Sequence, residues 1–477
     1  MTPRGDGPDV AVGQPSAGTI RPDPLSGGDA AGAGAFTTSL RAGATLTTIA
    51  QVVIAAASAI LAVVVARLLG PAGNGSFNVA VSMLLLLGAF CNAGIPQGVN
   101  YLVGGGRWHG GDALRQAQVA ALALGTAGAV VGVSVAAAAH GGIFRGASLP
   151  VFATAAAALP FWLSLSYSAS VALARGRYAV YTTAVVALAS ATLVLVAVLG
   201  SVFGLIGATA GFAAAQAVAA IGLLVWGTRR FPPRQRLRSS ETLSKLTRAI
   251  RFGSKPYLAD ALQFLNLRAD LFILNAVASR EAVGRYSVAV SVMTLGLLLP
   301  TALGTALLPR VAALGAFSST GDQLAVIKKS LRHAVLVVPA TAVVLSAALA
   351  VVPLVYGRGF EPSVALGFIL LPGTLAYGLG SVMTSIIVGK GRATYPLYAT
   401  AIVTPPTLAA YLVLVPVMHA AGAALASTLS YVTLTAVLVV FFRRATNVGH
   451  LSELLPGRSE LGDYRKLAAA AVGRLRA

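Results

Sequence analysis

Gly75-Ser76-Phe77-Asn78-Val79-Ala80-Val81-Ser82 returns 209 positions later as Gly284-Arg285-Tyr286-Ser287-Val288-Ala289-Val290-Ser291, with five identities in eight and an aromatic pair. Two further echoes are spaced by 215: Arg175-Gly176-Arg177 with Lys390-Gly391-Arg392, and Gly207-Ala208 with Gly422-Ala423. Self-similarity at this period means that the chain is two related halves. The residues around the repeats say what each half is made of. Of 477 residues, 56% are hydrophobic and 10% charged, against about 25% charged in soluble domains. Mean hydropathy is +0.80. The apolar residues come in charge-free runs long enough to cross a hydrocarbon layer about 30 Å thick, which excludes a water-soluble globular protein.

Twelve spans are expected, near 45–69, 76–95, 116–138, 149–172, 180–200, 204–226, 256–277, 286–308, 333–355, 364–388, 394–415 and 421–442. The fold class is therefore all-α integral membrane. Six spans per half is an even number, so the repeats run parallel, and parallel repeats enclose a central cavity between two six-helix lobes. The division is a tail 1–43 expected to be disordered, a first lobe 44–227, a basic linker 228–255, a second lobe 256–442 and a tail 443–477. In that last tail Leu461, Tyr464, Ala468, Val472 and Leu475 form an apolar stripe suited to a membrane-surface helix.

Alternating the loops between two sides sorts the 35 Lys and Arg into 29 on the side of both termini and five (Arg67, Arg145, Arg280, Arg285, Arg358) on the other, with Arg268 inside a span. The positive-inside rule then predicts cytoplasmic termini in the cell membrane. The net charge of +21 points to anionic lipid and not to nucleic acid. The single cysteine, Cys91, excludes an internal disulfide. There is no Gly-x-x-x-x-Gly-Lys-[Ser/Thr] string, no His-Glu-x-x-His and no paired-Cys spacing, so no cofactor, metal or ATP site is expected. The loops on the basic-poor side are too short for the catalytic loops of a glycan polymerase; the chain reads as a transporter and not an enzyme.

An intramembrane charge is expensive unless it is paired or meets water, which singles out the seventh span. On its helix Gln263, Asn266 and Asp270 share a face, Asp260 borders it, and Arg268 projects about 200° from Asp270. Two readings stand: this helix lines the cavity, with Arg268 on a diphosphate and Asp270 on a proton, a cation or sugar hydroxyls, or the pair fixes the lobe through inter-helix ion pairing. Arg67 is either a snorkelling anchor or a substrate contact. Asn100 and Tyr101 are candidates at the cytoplasmic mouth. Arg107, Arg175, Arg177, Lys390 and Arg392 read first as topology determinants and second as collectors of a diphosphate. Prolines at 160, 300, 339, 372, 405 and 406 are expected to kink their spans.

The run Ala66-Arg67-Leu68-Leu69-Gly70-Pro71-Ala72-Gly73-Asn74-Gly75, with Leu265-Asn266-Leu267-Arg268-Ala269-Asp270 and Val283-Gly284-Arg285-Tyr286-Ser287, resembles the polysaccharide flippase branch of the multidrug/oligosaccharidyl-lipid/polysaccharide exporter superfamily over about 45–445. The resemblance implies inner-to-outer translocation of a polyprenyl-diphosphate-linked oligosaccharide for surface or cell-wall polysaccharide. A polysaccharide polymerase and glycosyltransferases are candidate partners, and without an ATP site the drive is expected from an ion gradient, with a proton or sodium as coupling cation, from the membrane potential, or from consumption of the substrate at the outer face. Two rivals belong to the same superfamily: a cation-coupled multidrug exporter, which would use Asp270 or Asp260, and a peptidoglycan-precursor flippase, whose usual extra spans are not seen.

The charge sorting gives the first test. In a Cys91→Ser background, cysteines at Ala147→Cys and Pro362→Cys are expected to react with an impermeant thiol reagent in intact cells, and one at Ser239→Cys is not. Labelling at 239 would reverse the orientation.

Overall fold

A computed structural model describes residues 30–139, 141–142, 144, 148–233, 240–317 and 320–446. The expected tail as far as residue 29, Arg145, linker residues 234–239 and the expected surface helix of the C-terminal tail lie outside the described residues. Met1–Thr45 is a unit by itself, and Leu46–Ala477 is the unit that holds the helical bundle.

Every regular element among the described residues is helical. In order they are α1 (Ala30–Cys91), α2 (Ile95–Gly104), α3 (Gly110–Ala138), α4 (Leu149–Ala156), α5 (Leu159–Ala174), α6 (Tyr178–Arg230), α7 (Ser240–Val277), α8 (Arg280–Leu295), α9 (Leu298–Phe317), α10 (Thr320–Ala350), α11 (Val352–Val355), a 3-10 turn (Arg358–Phe360), α12 (Pro362–Gly389) and α13 (Thr394–Thr446). This is what a lipid solvent permits, because a helix satisfies its own backbone hydrogen bonds where no water can. Large apolar side chains such as Val198, Val202, Leu412 and Val417 stay exposed on its outer faces.

Seven helical stretches among the described residues, one of them α4 and α5 together, are long and apolar enough to cross a membrane. Three of the seven would be roughly 60–90 Å long if straight, at least twice the layer. They fold back at a non-helical residue: Gly70 in α1 (φ 63°, ψ −177°), Gly204 in α6 (φ 58°, ψ −137°) and His419 in α13 (φ 50°, ψ −125°). Counting each as two gives ten crossings. The pair α8 and α9, bent by 43° at a short break, makes the eleventh. The polar α7 makes the twelfth.

The backbone obeys the repeat seen in the sequence. Gly204 and His419 are 215 apart and take the same dihedrals, those of the first central residue of a type II′ turn, which favours glycine. The arms they join approach equally closely: a Cβ on Gly207 would sit 1.9 Å from the carbonyl oxygen of Leu199, and one on Gly422 2.1 Å from that of Leu414. Arg175-Gly176-Arg177 and Lys390-Gly391-Arg392 are both helix ends. In each the glycine has positive φ, and the next N–H reaches back five residues, Arg177 to Ala172 at 2.9 Å and Arg392 to Ile387 at 3.1 Å. That is the Schellman closure, and it explains the shared spacing of the echo without reference to a ligand.

Helix boundaries depart from the expected spans in several places: α1 is already helical from Ala30, inside the tail expected to be disordered to 43, and α9 and α10 extend to Phe317 and from Thr320, beyond their expected spans. The fourth span is broken between α4 and α5, where Pro160 occupies the first turn of α5. The basic linker is not a loop throughout: from Ser240 it is the first part of α7, continuous with the seventh span. Leu246, Ala249 and Ile250 share one face and pack into the apolar cluster of α2, α3 and α5, which gives a charged segment an amphipathic reason to be helical.

The two halves meet through the repeat itself. A Cβ on Gly75 would lie 2.2 Å from the Arg280 carbonyl oxygen, and one on Gly284 1.9 Å from that of Pro71. The contact is reciprocal, since Pro71 and Arg280 are also 209 apart. Asn74 Nδ2 donates to the Gly284 carbonyl at 3.0 Å, and Phe144 meets Phe272 edge-on at 5.8 Å. These contacts close the basic-poor end of the interface. At the basic end Tyr257 donates to the Phe90 carbonyl, and Tyr101 stacks on Phe252 at 4.0 Å.

His419 holds a turn geometry that its repeat mate meets with glycine. A non-glycine residue in such a region costs about 1–3 kcal/mol. His419→Gly is therefore expected to raise the unfolding temperature of the purified protein, and Gly204→Ala to lower it. Equal midpoints in both would remove the strain argument.

Candidate functional site

The face of α7 that carries Gln263, Asn266 and Asp270 turns into the second half, where α8, α12 and α13 supply hydroxyls. Asp270 Oδ2 accepts the Tyr286 hydroxyl at 2.5 Å, and Oδ1 accepts the Leu271 N–H at 2.7 Å. The Tyr286 oxygen lies 3.0 Å from Ser427 Oγ, which lies 3.0 Å from the Tyr411 oxygen. One turn away Asn266 Nδ2 is 3.5 Å from Ser430 Oγ, itself 2.7 Å from Thr407 Oγ1. A further turn along, Gln263 Nε2 donates to the Tyr377 hydroxyl at 3.1 Å and its Oε1 accepts from Thr400 at 3.2 Å. Asp270 is 3% exposed, and Asn266 and Tyr286 are fully buried.

The first half has no such ladder at the equivalent places. Its repeat mates of Asp270, Tyr286, Tyr411 and Ser427 are Leu61, Phe77, Val196 and Phe212, and these form one apolar cluster with Phe77 edge-on to Phe212 at 6.4 Å. The network is thus an addition to the second half and not a requirement of the architecture. Sequence reasoning found the α7 residues but missed Tyr286, Ser427 and Tyr411. The signal was present: Tyr286 stood opposite Phe77 in the repeat, and the hydroxyl was the difference.

At the basic end of the ladder Asp260 is exposed and within 3.4 Å of Gln97 Nε2 from the first half. Asp260 and Gln263 line a cavity of about 300 Å³ with Tyr377, Ser381, Thr384 and Thr400. Its hydroxyls and one carboxylate face Pro396, Leu434 and Leu438, so it suits a guest with both polar and apolar parts. Among the described residues no three His, Cys, Asp or Glu side chains gather as metal ligands would.

Arg268 leaves the ladder. It is half-buried, with its guanidinium 5.8 Å from the centre of the Phe264 ring one turn earlier, and it makes no ion pair with Asp270. Asp270 is held instead by the Tyr286 hydroxyl. Arg67 is exposed and reaches into the second half, where Nε donates to the Val355 carbonyl at 2.8 Å and Nη2 to that of Leu354 at 2.5 Å. Those carbonyls end the short helix α11 and have no partner within it, so the guanidinium caps it.

The remaining candidates lie at the basic end. Asn100 is exposed. Arg107 donates to the Tyr101 hydroxyl at 2.8 Å and sits 5.3 Å over the same ring. Arg175 lies 5.5 Å over Phe231, and Arg177 is exposed at the start of α6. Lys390 donates to Gln323 Oε1 at 2.7 Å, and Gln323 in turn donates to the Val311 carbonyl at 2.8 Å, which ties the basic ends of α9, α10 and α12. Arg392 is exposed and reaches the Tyr395 hydroxyl at 3.3 Å.

The model of the family described as lipid II flippase MurJ matches residues 147–456. No curated protein sequence matches. Among solved structures, the chain is similar to a multidrug resistance MATE transporter of the MOP superfamily in an inward-facing conformation, at 14% identity and a TM-score of 0.67, covering 82% of this chain and 94% of that one. It is similar to the lipid II flippase MurJ in an inward closed conformation at 12% identity and a TM-score of 0.65, covering 86% and 89%. A MOP superfamily transporter from Pyrococcus furiosus aligns at 15% identity and a TM-score of 0.60, covering 85% and 94%. At these identities the likeness is one of fold.

The buried ladder makes a stability prediction. Tyr286→Phe removes the nearest hydroxyl donor to Asp270 and is expected to destabilise the protein by about 1–3 kcal/mol. Arg268→Ala, on a half-exposed side chain with no ion pair to break, is expected to stay within about 0.5 kcal/mol. Thermal unfolding in detergent ranks the two; the reverse order would overturn the assignment of roles.

Proposed function

The chain belongs to the lipid II flippase MurJ family, and from that premise we propose that it moves a polyprenyl-diphosphate-linked glycan from the inner to the outer leaflet of the cell membrane by alternating access. The observation that carries this reading is Arg268. A guanidinium at mid-span that forms no salt bridge with the neighbouring Asp270 is a place for an anion inside the membrane, and a diphosphate matches its planar donors. With the termini cytoplasmic, the basic end collects the headgroup, and Arg107, Arg175, Arg177, Lys390 and Arg392 contribute field there even where they also cap or tie helices.

The tail of such a cargo needs an apolar path beside a polar one. A groove of about 340 Å³ runs between Ile60, Val63 and Val64 of α1 and Val292, Val352 and Tyr356 of the second half, next to the carbonyls that Arg67 caps. It gives a polyprenyl chain a lipid-facing bed while the headgroup stays between the lobes. The closed basic-poor end, with Gly75 against Gly284 and Arg67 on α11, is then the outer gate, and rocking of the lobes parts it. The protein makes and breaks no covalent bond. Asp270 with its hydroxyl neighbours is the element that a proton or a sodium ion would bias, since it is a carboxylate among neutral donors in a dry setting.

Two cargoes share this chemistry. The family match supports lipid II; the resemblance of the α1 and α7 runs to the polysaccharide branch supports an oligosaccharide unit. A cation-coupled drug exporter is the reading that Asp270 and the MATE-like fold would favour if Arg268 proved irrelevant; resistance to cationic dyes tests it.

In vesicles containing the purified protein and a fluorescent polyprenyl-diphosphate glycan, transbilayer movement is expected, with lipid II and an oligosaccharide unit offered in separate arms. Arg268→Ala is expected to cut the rate at least about tenfold, as loss of one desolvated charge-assisted contact of about 1.5–3 kcal/mol would. A full rate in that variant removes the observation on which the proposal stands.

A further inference from the structure

The two arms of α6 touch near the Gly204 turn but part toward the basic end, leaving a groove of about 490 Å³ that the transport path does not use. Val180, Thr183, Ala187, Ala219, Gly222 and Trp226 are among the residues that line it. Its wall is apolar, because the Thr183 hydroxyl is spent on the Ala179 carbonyl at 2.9 Å. A Cβ placed on Gly222 would meet nothing within 4 Å. Val218 on its rim is 59% exposed, so the groove opens to the surroundings of the protein and not into its core.

The groove is not a by-product of the hairpin. In the second half the repeat mates of Val180, Thr183, Ala187, Ala219 and Gly222 are Tyr395, Tyr398, Ile402, Leu434 and Val437, all larger. There the space is filled, with Tyr395 against Phe441 at 5.0 Å, and Phe441 is the mate of Trp226. One half has kept small residues where the other has closed the same gap.

Its mouth is cationic. Trp226 meets Phe231 edge-on at 5.6 Å, and the Arg175 guanidinium stands 5.5 Å over that same ring. Arg229 and Arg230 end α6 and are exposed, and exposed Arg177 begins it. An apolar slot facing lipid, a tryptophan at its rim and arginines beyond the rim are the parts of a phospholipid in order: acyl chain, interface, phosphate.

We infer that the groove between the arms of α6 binds one anionic phospholipid of the leaflet at the basic end, its acyl chain along Gly222 and Ala187 and its phosphate at Arg229 and Arg230. The lipid would be a resident of the first half, wedged between the fifth and sixth spans. This assignment stands independently of the cargo.

Trp226 is the reporter, isolated by subtracting the fluorescence of Trp226→Phe from that of the full chain in phosphatidylcholine vesicles. Phosphatidylglycerol with brominated acyl chains is expected to quench it at about one-fifth the mole fraction that brominated phosphatidylcholine requires, a ratio equivalent to about 1 kcal/mol. Gly222→Leu fills open space with a side chain larger than the second half's Val437, and in that variant both lipids are expected to quench equally; its unfolding temperature checks that it remains folded. Arg229→Gln with Arg230→Gln is expected to lower the preference while leaving the slot. Equal quenching by the two lipids in the full chain, or an undiminished preference in folded Gly222→Leu, would overturn the site. Displacement of the brominated lipid by an equal mole fraction of polyprenyl diphosphate would overturn it in favour of the cargo. None of these outcomes requires transport, so failure here leaves the proposed function standing, and failure of the vesicle transport assay leaves this site standing.

Discussion

Gly75 and Gly284 meet where neither has room for a side chain, and much of the molecule is arranged around that approach. In lipid there is no hydrophobic drive to press one apolar helix on another, so association rests on how closely backbones can pack and on the polar contacts this permits. Bringing the starts of the second and eighth spans together places Asn74 on the Gly284 carbonyl and lets Arg67 reach the end of α11. The reciprocity of the contact follows from the repeat: the same residue type at the same place in each half gives a junction that the two halves share on equal terms.

Against that symmetry, the differences between halves carry the chemistry. Leu61, Phe77, Val196 and Phe212 make an ordinary apolar cluster in the first half, whereas Asp270, Tyr286, Tyr411 and Ser427 make a hydrogen-bonded chain in the second. The reverse holds between the arms of the last hairpins, where the first half keeps a groove and the second fills it with Tyr395 and Phe441. A membrane protein has few ways to hide a carboxylate. Surrounding Asp270 with hydroxyls from α8 and α13 ties both helices to α7.

Some motifs that read as ligand-binding have a plainer explanation in the backbone. Arg175-Gly176-Arg177 and Lys390-Gly391-Arg392 recur because each ends a helix on a left-handed glycine whose flanking N–H groups close the last turn. The end of α2 closes in the same way, with Gly106 at positive φ and the Arg107 N–H on the Leu102 carbonyl at 2.8 Å. Their cations remain at the basic end, but the spacing is owed to helix closure.

Hydropathy, charge sorting and the repeat by themselves determined the all-helical membrane class, the twelve crossings and the face of α7 that holds Gln263, Asn266 and Asp270, because span length and the 3.6-residue period are local consequences of sequence. Charge spacing alone also showed that Arg268 and Asp270 could not pair along one helix. What faced them lay in residues far along the chain: Tyr286 is sixteen positions from Asp270 and Ser427 and Tyr411 are over a hundred, so only packing could name them. The same holds for Arg67, whose partners on α11 are 287 and 288 positions away, and for the continuity of the basic linker with α7, which depended on an apolar face meeting α2. Sequence fixes what each helix can offer; which neighbour receives it is decided by the close approach of backbones that small residues allow.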